Sequence, residues 1–271
     1  KLWEQLVKLQ NKSKDKRKDQ PNKYLLKHEA RKFDNYVRKK CRNPDSSRNF
    51  KKSVLKKNPG STPLDIGAGS GAWSIYFSPY TDKITALDPS DAMIAIMKEN
   101  IISHNIKNIR IIKGDWLNTV VKPHDYLLAS HSFYGIEDFS AWINKMNSTA
   151  RKACFLVLRA PLSNAPMAKA AEHILGQPYD STNFQIAYNA LLEIGIYPNV
   201  LMESGRNSHR WTHNSFEEAM EDVKQRLGIT ESVKHDAYLK KLLKESLTEK
   251  NGKYIWPEGM RSALVYWDVQ P

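Results

Sequence analysis

The chain has 271 residues, 42 Lys+Arg against 29 Asp+Glu and 41% apolar residues, enough for one large domain or two small ones. Aromatics at 10% exclude disorder throughout, and a mean hydropathy of −0.59 without any long apolar stretch excludes a membrane span. Two cysteines, Cys41 and Cys154, cannot build a disulfide framework. With no apolar signal core in Lys1–Gln20, a reduced cytoplasmic protein is the expectation.

Charge is concentrated at one end. Residues 1–60 carry 20 basic and 6 acidic side chains, a net +14, and the remainder carries a net −1. Such an arm can steer an anionic partner, or it can simply be a solvated helical face.

Lys1–Gln10 places Leu2, Leu6 and Leu9 at helical spacing beside Trp3 and Val7. Asn11–Asn22 is polar and reads as a linker or exposed helix end; Lys23–Cys41 resumes a helix with Tyr24, Leu25, Phe33, Tyr36 and Val37. Asn43-Pro44-Asp45 and Asn58-Pro59-Gly60 punctuate a further helix. From Thr62 strands and helices alternate. The predicted strands are Pro63–Ile66, Lys83–Leu87, Ile109–Lys113, Tyr126–Ala129 and Ala153–Leu158. Helices are predicted at Ala72–Phe77, at Ser90–Asn100 with Ser90 as N-cap, and at Phe139–Asn147. This alternation implies a parallel sheet covered by helices on both faces. Beyond Arg159 the chain reads as helical to Ile194, then a strand near Asn199–Glu203, helices at Ser215–Leu227 and His235–Leu247, and a closing strand at Ser262–Val269.

The chemistry-bearing motif is Asp65-Ile66-Gly67-Ala68-Gly69-Ser70-Gly71, between a strand and a helix. Glycines let the backbone turn sharply and approach a ligand where a Cβ would intrude, and the helix start offers unpaired N–H groups. On its own the stretch also fits the dinucleotide pattern G-x-G-x-x-G/A. Further along come Asp88 in Ala86-Leu87-Asp88-Pro89-Ser90, Met93 on the next helix, Gly114-Asp115-Trp116 after the third strand, and Ala129-Ser130-His131 ending the fourth.

This ordered set, over about residues 62–159, resembles the class I S-adenosylmethionine-dependent methyltransferases. The resemblance implies a Rossmann-like α/β sheet, mostly parallel with its last strand antiparallel. It implies S-adenosylmethionine as cofactor, with Asp88 accepting from the ribose hydroxyls and Asp115 from the adenine amino group. Trp116 would then line the adenine pocket, Met93 pack on adenine, and Asp65 organise the glycine loop and face the methionine amino group. Gly67, Ala68, Gly69, Gly71, Pro89, Gly114 and Ser130 complete the expected contact set. A nicotinamide-dependent reductase would share the glycine turn and Asp88 but would not call for the acidic turn at 114–116.

Methyl transfer from a sulfonium depends chiefly on positioning, and a base is needed only where the acceptor must lose a proton. His131 is the candidate base and Tyr134 the candidate aromatic or hydroxyl contact, both following the fourth strand at the ligand-facing end of the sheet. His131 can equally be structural. The Asn/Asp-Pro-Pro-aromatic tetrapeptide of amino-methylating nucleic-acid enzymes is absent, and Cys154 lies within a strand rather than at a Pro-Cys turn. His209 and His213 stand four apart, a spacing that could bind metal on a helix, but no third ligand is evident and no metal is expected.

The expected organisation is a basic helical cap or lid at 1–60 and a cofactor-binding domain at 61–271, with helical insertions at about 161–194 and 215–247 after strands five and six. Asn183, Tyr188, Arg206, Arg210 and Trp211 are candidate lining residues of a substrate chamber. The expected substrate is a small or medium-sized metabolite. The alternatives are an RNA or DNA methyltransferase using the basic arm with Trp3, Tyr24, Phe33 and Tyr36, and a non-catalytic cofactor-binding protein.

Overall fold

A computed structural model describes residues 1–15, 27–41, 46–203 and 211–269, with side chains described except at 12–15, 27 and 38–41. Helices α1 (Leu2–Asp15), α2 (Lys27–Cys41) and α3 (Ser46–Lys57) precede the first strand. Alternation then runs β1 (Pro63–Ile66), α4 (Ala72–Phe77), β2 (Ile84–Asp88), α5 (Asp91–Ser103), β3 (Ile109–Lys113), β4 (His124–Ser130), α6 (Phe139–Thr149) and β5 (Ala150–Pro161). After it come α7 (Pro166–Leu175), α8 (Phe184–Glu193), β6 (Asn199–Met202), β7 (Thr212–His213), α9 (Phe216–Arg226), α10 (Asp236–Ser246), β8 (Thr248–Lys250), β9 (Lys253–Ile255) and β10 (Met260–Asp268).

Seven strands form one sheet in the order β3-β2-β1-β4-β5-β10-β6, in which β10 runs antiparallel to both neighbours. The remaining pairs are parallel, with Asp65 opposite Ala86 on one side and Leu128 on the other. Every residue of β1 and β2 is buried, as expected for strands covered on both faces. Side-chain alternation sorts two cores. Leu64, Ile66, Leu127, Leu156 and Leu158 meet α1, α6 and α8 on one face. Tyr126, Leu128, Phe155 and Val157 meet Leu55 of α3 and Phe77 of α4 on the other. Caps fall where hydroxyl and amide side chains precede the helices: Ser90 accepts from Met93 N, Asn183 from Ile186 N and Ser215 from Glu218 N.

The three N-terminal helices dock in three places. On α1, Trp3, Leu6 and Val7 are core residues; Trp3 stacks on Phe133 at 5.5 Å and its Nε1 donates to Ile136 O at 2.7 Å. Helix α2 lies on α5, with Ala30 and Phe33 against Met93 and Ile96, and Tyr36 is 42% exposed. Helix α3 covers the opposite face. Tyr24 and Leu25 lie outside the described residues, as do Arg206, His209 and Arg210.

The segment after β6 holds the expected helices at 215–227 and 235–247 as α9 and α10, and adds strands not expected there. It includes a small antiparallel sheet, β7-β9-β8, beside α9 and α10. Met167 and Ala171 of α7, Val223 of α9, Leu239 and Leu243 of α10, and Trp256 close a separate core away from the two sheet-face cores. His213 therefore sits on a strand, where its Nδ1 accepts from Trp256 Nε1 at 3.0 Å. The strand geometry removes the helical face on which its spacing from His209 would have mattered.

Candidate active site

The site lies at the carboxyl ends of β1, β2, β4 and β5, where strand order reverses between β1 and β4, the crevice position for ligands in open α/β sheets. The glycine turn leaves β1 by hanging from β2: Gly67 N and Ala68 N both donate to Leu87 O, at 2.8 and 3.0 Å. Gly67, Gly69 and Gly71 all have positive φ, and the three serve different neighbours. A Cβ at Gly67 would lie 2.3 Å from Ser132 Cβ, and one at Gly71 2.7 Å from Met97 Cγ. A Cβ at Gly69 would meet no protein atom within 4 Å. Gly69 alone of the three faces open space.

Asp88 ends β2 against this turn. Its Oδ2 accepts from Gly69 N at 2.7 Å and its Oδ1 from Ser90 N at 2.8 Å. Burial pushes its pKa up, and the two backbone bonds pull it back. Each oxygen has accepted one N–H and keeps capacity for a hydroxyl donor. Pro89 beside it is exposed.

Asp65 lines a small cavity with Lys51 and Leu55 of α3 and Ser74 and Phe77 of α4. It is buried, and Ser74 Oγ donates to its Oδ2 at 2.7 Å. Burial raises its pKa from 3.8 to about 6; the Ser74 bond and the Lys51 ammonium oppose this, and the Asp88 charge adds to it. Because the folded form holds the proton more tightly than the unfolded chain, stability is full below about pH 4 and falls as pH rises through about 6. The expected loss is on the order of 3 kcal/mol. Asp65→Asn keeps an acceptor for Ser74 and should flatten this dependence. Urea unfolding at pH 4 and pH 7.5 checks it, with the variant gaining on the parent only at the higher pH.

The third-strand turn divides its roles. Gly114 N donates to Asp88 O at 3.1 Å, and a Cβ at Gly114 would overlap Thr119 Oγ1. Exposed Asp115 accepts at Oδ1 from Leu117 N at 3.0 Å and Asn118 Nδ2 at 3.1 Å, an Asx-type turn. The Trp116 indole is a core side chain, edge-on to Trp142 with Nε1 donating to Trp142 O at 3.2 Å. Met93 is buried between α5 and α2.

Ser130 ends β4 opposite Val157 of β5, and the chain turns at His131, a non-glycine residue with φ 55. Ser132 Oγ donates back to Ile66 O at 2.8 Å, fastening this loop to the end of β1. His131 is exposed, and its Nδ1 lies 2.7 Å from Tyr134 Oη. Tyr134 Oη accepts from Arg159 N at 2.7 Å, and the Arg159 guanidinium covers the ring at 4.1 Å. Burial pushes the Tyr134 phenol up to about 12, against the Arg159 charge and hydrogen bonds, so it stays protonated.

Sequence reasoning did not single out two participants around this crevice. One is Arg159, whose signal was an arginine directly ending the apolar run 153–158. The other is a buried bridge from α2: Asn100 Nδ2 donates both to Asp34 Oδ1 and to Ser70 O, each at 3.0 Å. It ties the N-terminal helix to the glycine turn, and no local pattern announces it. Among the candidate lining residues, Asn183 caps α8, Tyr188 lies on α8 against Phe184, and Trp211 packs against the separate core of α7, α9 and α10.

Residues 64–153 match the family described as Methyltransferase domain. A 60-residue stretch, 22% of the chain, is 35% identical to the probable cobalt-precorrin-6B C(15)-methyltransferase (decarboxylating) of Methanocaldococcus jannaschii. That match spans 33% of the relative's length. Among solved structures, the YcgJ protein of Bacillus subtilis superposes with a TM-score of 0.54 at 12% identity, covering 83% of this chain and 98% of that one. A SAM-dependent methyltransferase of Aquifex aeolicus does so with 0.51 at 14% identity, covering 90% and 99%.

Residues 64–153 thus match the methyltransferase domain family, and the fold around them is the Rossmann-like one shared with these methyltransferase structures. The residues present fit that cofactor: an open cradle at Gly69 lies beside a carboxylate at the tip of β2.

Proposed function

We propose that the chain transfers a methyl group from S-adenosylmethionine to a small or medium-sized metabolite by in-line displacement. The observation that carries this reading is the juxtaposition, across one crevice, of the open Gly69–Asp88 cradle and the exposed His131 with its part-buried partner Tyr134. Ser132 fastens the two halves together through Ile66 O. Bound S-adenosylmethionine supplies an electrophilic methyl on a sulfonium.

In this proposal Gly67, Ala68, Gly69 and Gly71 give the cofactor its close backbone approach, and Asp88 accepts from its ribose hydroxyls. Asp65 supports the turn from behind through Ser74. Asp115, with the backbone of Gly114 and Trp116, receives the adenine edge, and Met93, Pro89 and Ser130 border the pocket. His131 takes the acceptor's proton. The tautomer in which Nδ1–H donates to Tyr134 Oη puts the basic lone pair on Nε2. Tyr134, held neutral, orients the imidazole instead of competing with it as a base.

The metabolite reading draws support over an RNA or DNA substrate from Trp3 and Phe33 of the arm, while Tyr36 there is exposed. Trp3 is buried in the core and Phe33 packs with the Met93–Ile96 cluster. Lys51 and Arg48 of the chain itself lie over Trp73, at 3.5 and 5.1 Å. A stacking platform for bases would present such rings to solvent.

Calorimetry with S-adenosylhomocysteine and an assay of methyl transfer test the proposal. His131→Ala should lower turnover by about 10²–10⁴-fold on an acceptor that must lose a proton, with cofactor affinity nearly intact. Folded protein that binds no S-adenosylhomocysteine, or that prefers a nicotinamide dinucleotide, would overturn it.

A further inference from the structure

Where β5 ends and α8 begins, two buried polar atoms have no hydrogen-bond partner among the described residues: Arg159 Nε and Gln185 Oε1. The far end of each side chain is tied across the same seam. Arg159 Nη2 reaches Thr182 O at 3.5 Å, while Gln185 Nε2 donates to Pro161 O at 2.8 Å. One orphan is a donor carrying positive charge and the other is a neutral acceptor. Left empty, each buried group costs about 1–3 kcal/mol, and both belong to residues at the junction of β5 with α8.

The position decides to which side of the crevice they belong. Arg159 N donates to Tyr134 Oη, which contacts His131 Nδ1, so the guanidinium belongs to the residue that supports the candidate base. Strand β4 lies between β1 and β5, placing Arg159 two strand spacings, roughly 10 Å, from the glycine turn. It stands on the acceptor side of the crevice. Among the described residues no carboxylate pairs with it; its guanidinium covers the Tyr134 ring at 4.1 Å and acts on the Tyr134 hydroxyl.

We infer that Arg159 and Gln185 form the recognition subsite for the methyl acceptor, and that this acceptor is a small carboxylic acid with a hydrogen-bond donor near its carboxylate. The guanidinium takes the carboxylate, and Gln185 Oε1 accepts from the neighbouring N–H or O–H. One guanidinium balances one carboxylate, which favours a monoacid over a phosphate dianion. This deepens the methyltransferase reading and rests on it.

The test uses the full chain saturated with S-adenosylhomocysteine, titrated calorimetrically with matched pairs: glycine and glycinamide, lactate and lactamide, 2-aminobenzoate and 2-aminobenzamide. At least one acid should bind about 10- to 100-fold more tightly than its amide. Arg159→Gln should erase that preference and Arg159→Lys should keep part of it. Gln185→Glu should exclude the acids, because its own carboxylate would engage the guanidinium. S-adenosylhomocysteine affinity should stay unchanged in all three variants. If Arg159→Gln fails to fold, the Lys and Glu variants decide.

Acids and amides binding alike, no acid binding, or acid affinity untouched in the variants would each overturn the subsite and leave the methyltransferase reading standing. Loss of S-adenosylhomocysteine affinity in Arg159→Gln would assign the guanidinium to the cofactor's own carboxylate and overturn it too. Failure of the parent protein to bind S-adenosylhomocysteine would instead strike the functional reading itself.

Discussion

Replacing Gly69 by valine is expected to abolish S-adenosylhomocysteine binding while the chain still folds. At Gly69 the position of a Cβ meets no protein atom within 4 Å, so the fold does not need that space and a ligand can use it. The backbone there has φ +57, so a side chain adds strain of about 1–2 kcal/mol, a small part of the stability of a domain this size. Gly69→Ala adds a Cβ without the branch and is expected to weaken binding less. Substitution at Gly67 or Gly71 should behave differently, because a Cβ there overlaps Ser132 or Met97. Those variants should lose melting temperature first. Calorimetry and circular dichroism on the three together separate ligand space from packing, and Gly69→Val binding with parental affinity would show that the turn is only structural.

Asp88→Ala should weaken the cofactor by about 1.5–3 kcal/mol, on the order of 10- to 150-fold, through loss of charge-assisted ribose contacts. The structure adds a second consequence. Asp88 also receives Gly69 N and Ser90 N, so its removal leaves two backbone donors without their acceptor at the turn and at the α5 cap. Stability should therefore fall as well, by about 1–3 kcal/mol. Denaturant unfolding beside calorimetry checks both effects. Unchanged cofactor affinity with reduced stability would make Asp88 a capping carboxylate only.

Much of the cofactor half was legible because its signals are local. A strand of four apolar-framed residues, a glycine turn and a helix at 63–77 occupy consecutive positions, and positive φ at 67, 69 and 71 is a conformation glycine adopts without a Cβ penalty. Ser90 as N-cap, Asp88 at the tip of β2 and the antiparallel closing strand follow from the same short patterns or from the family resemblance they support. The acceptor half was not legible in the same way. His131 and Tyr134 were named from their place after a strand, but the hydrogen bond from Arg159 N to Tyr134 spans α6 and the one from Gln185 to Pro161 spans the β5–α8 connection, each joining residues about 25 apart.

The sequence by itself determined the order of strands and helices from β1 to β5, the glycine turn and the carboxylate beside it, since periodicity, capping and glycine conformations act within a few residues. Only the tertiary structure decided that the charged N-terminus contributes Trp3 to the core, with Nε1 bonded to Ile136 across 133 positions of chain. It also sent the Trp116 indole inward against Trp142, and brought Asp34, Asn100 and Ser70 to one buried point. Such contacts arise from packing surfaces that the chain must first fold to create, so no window of sequence holds both partners.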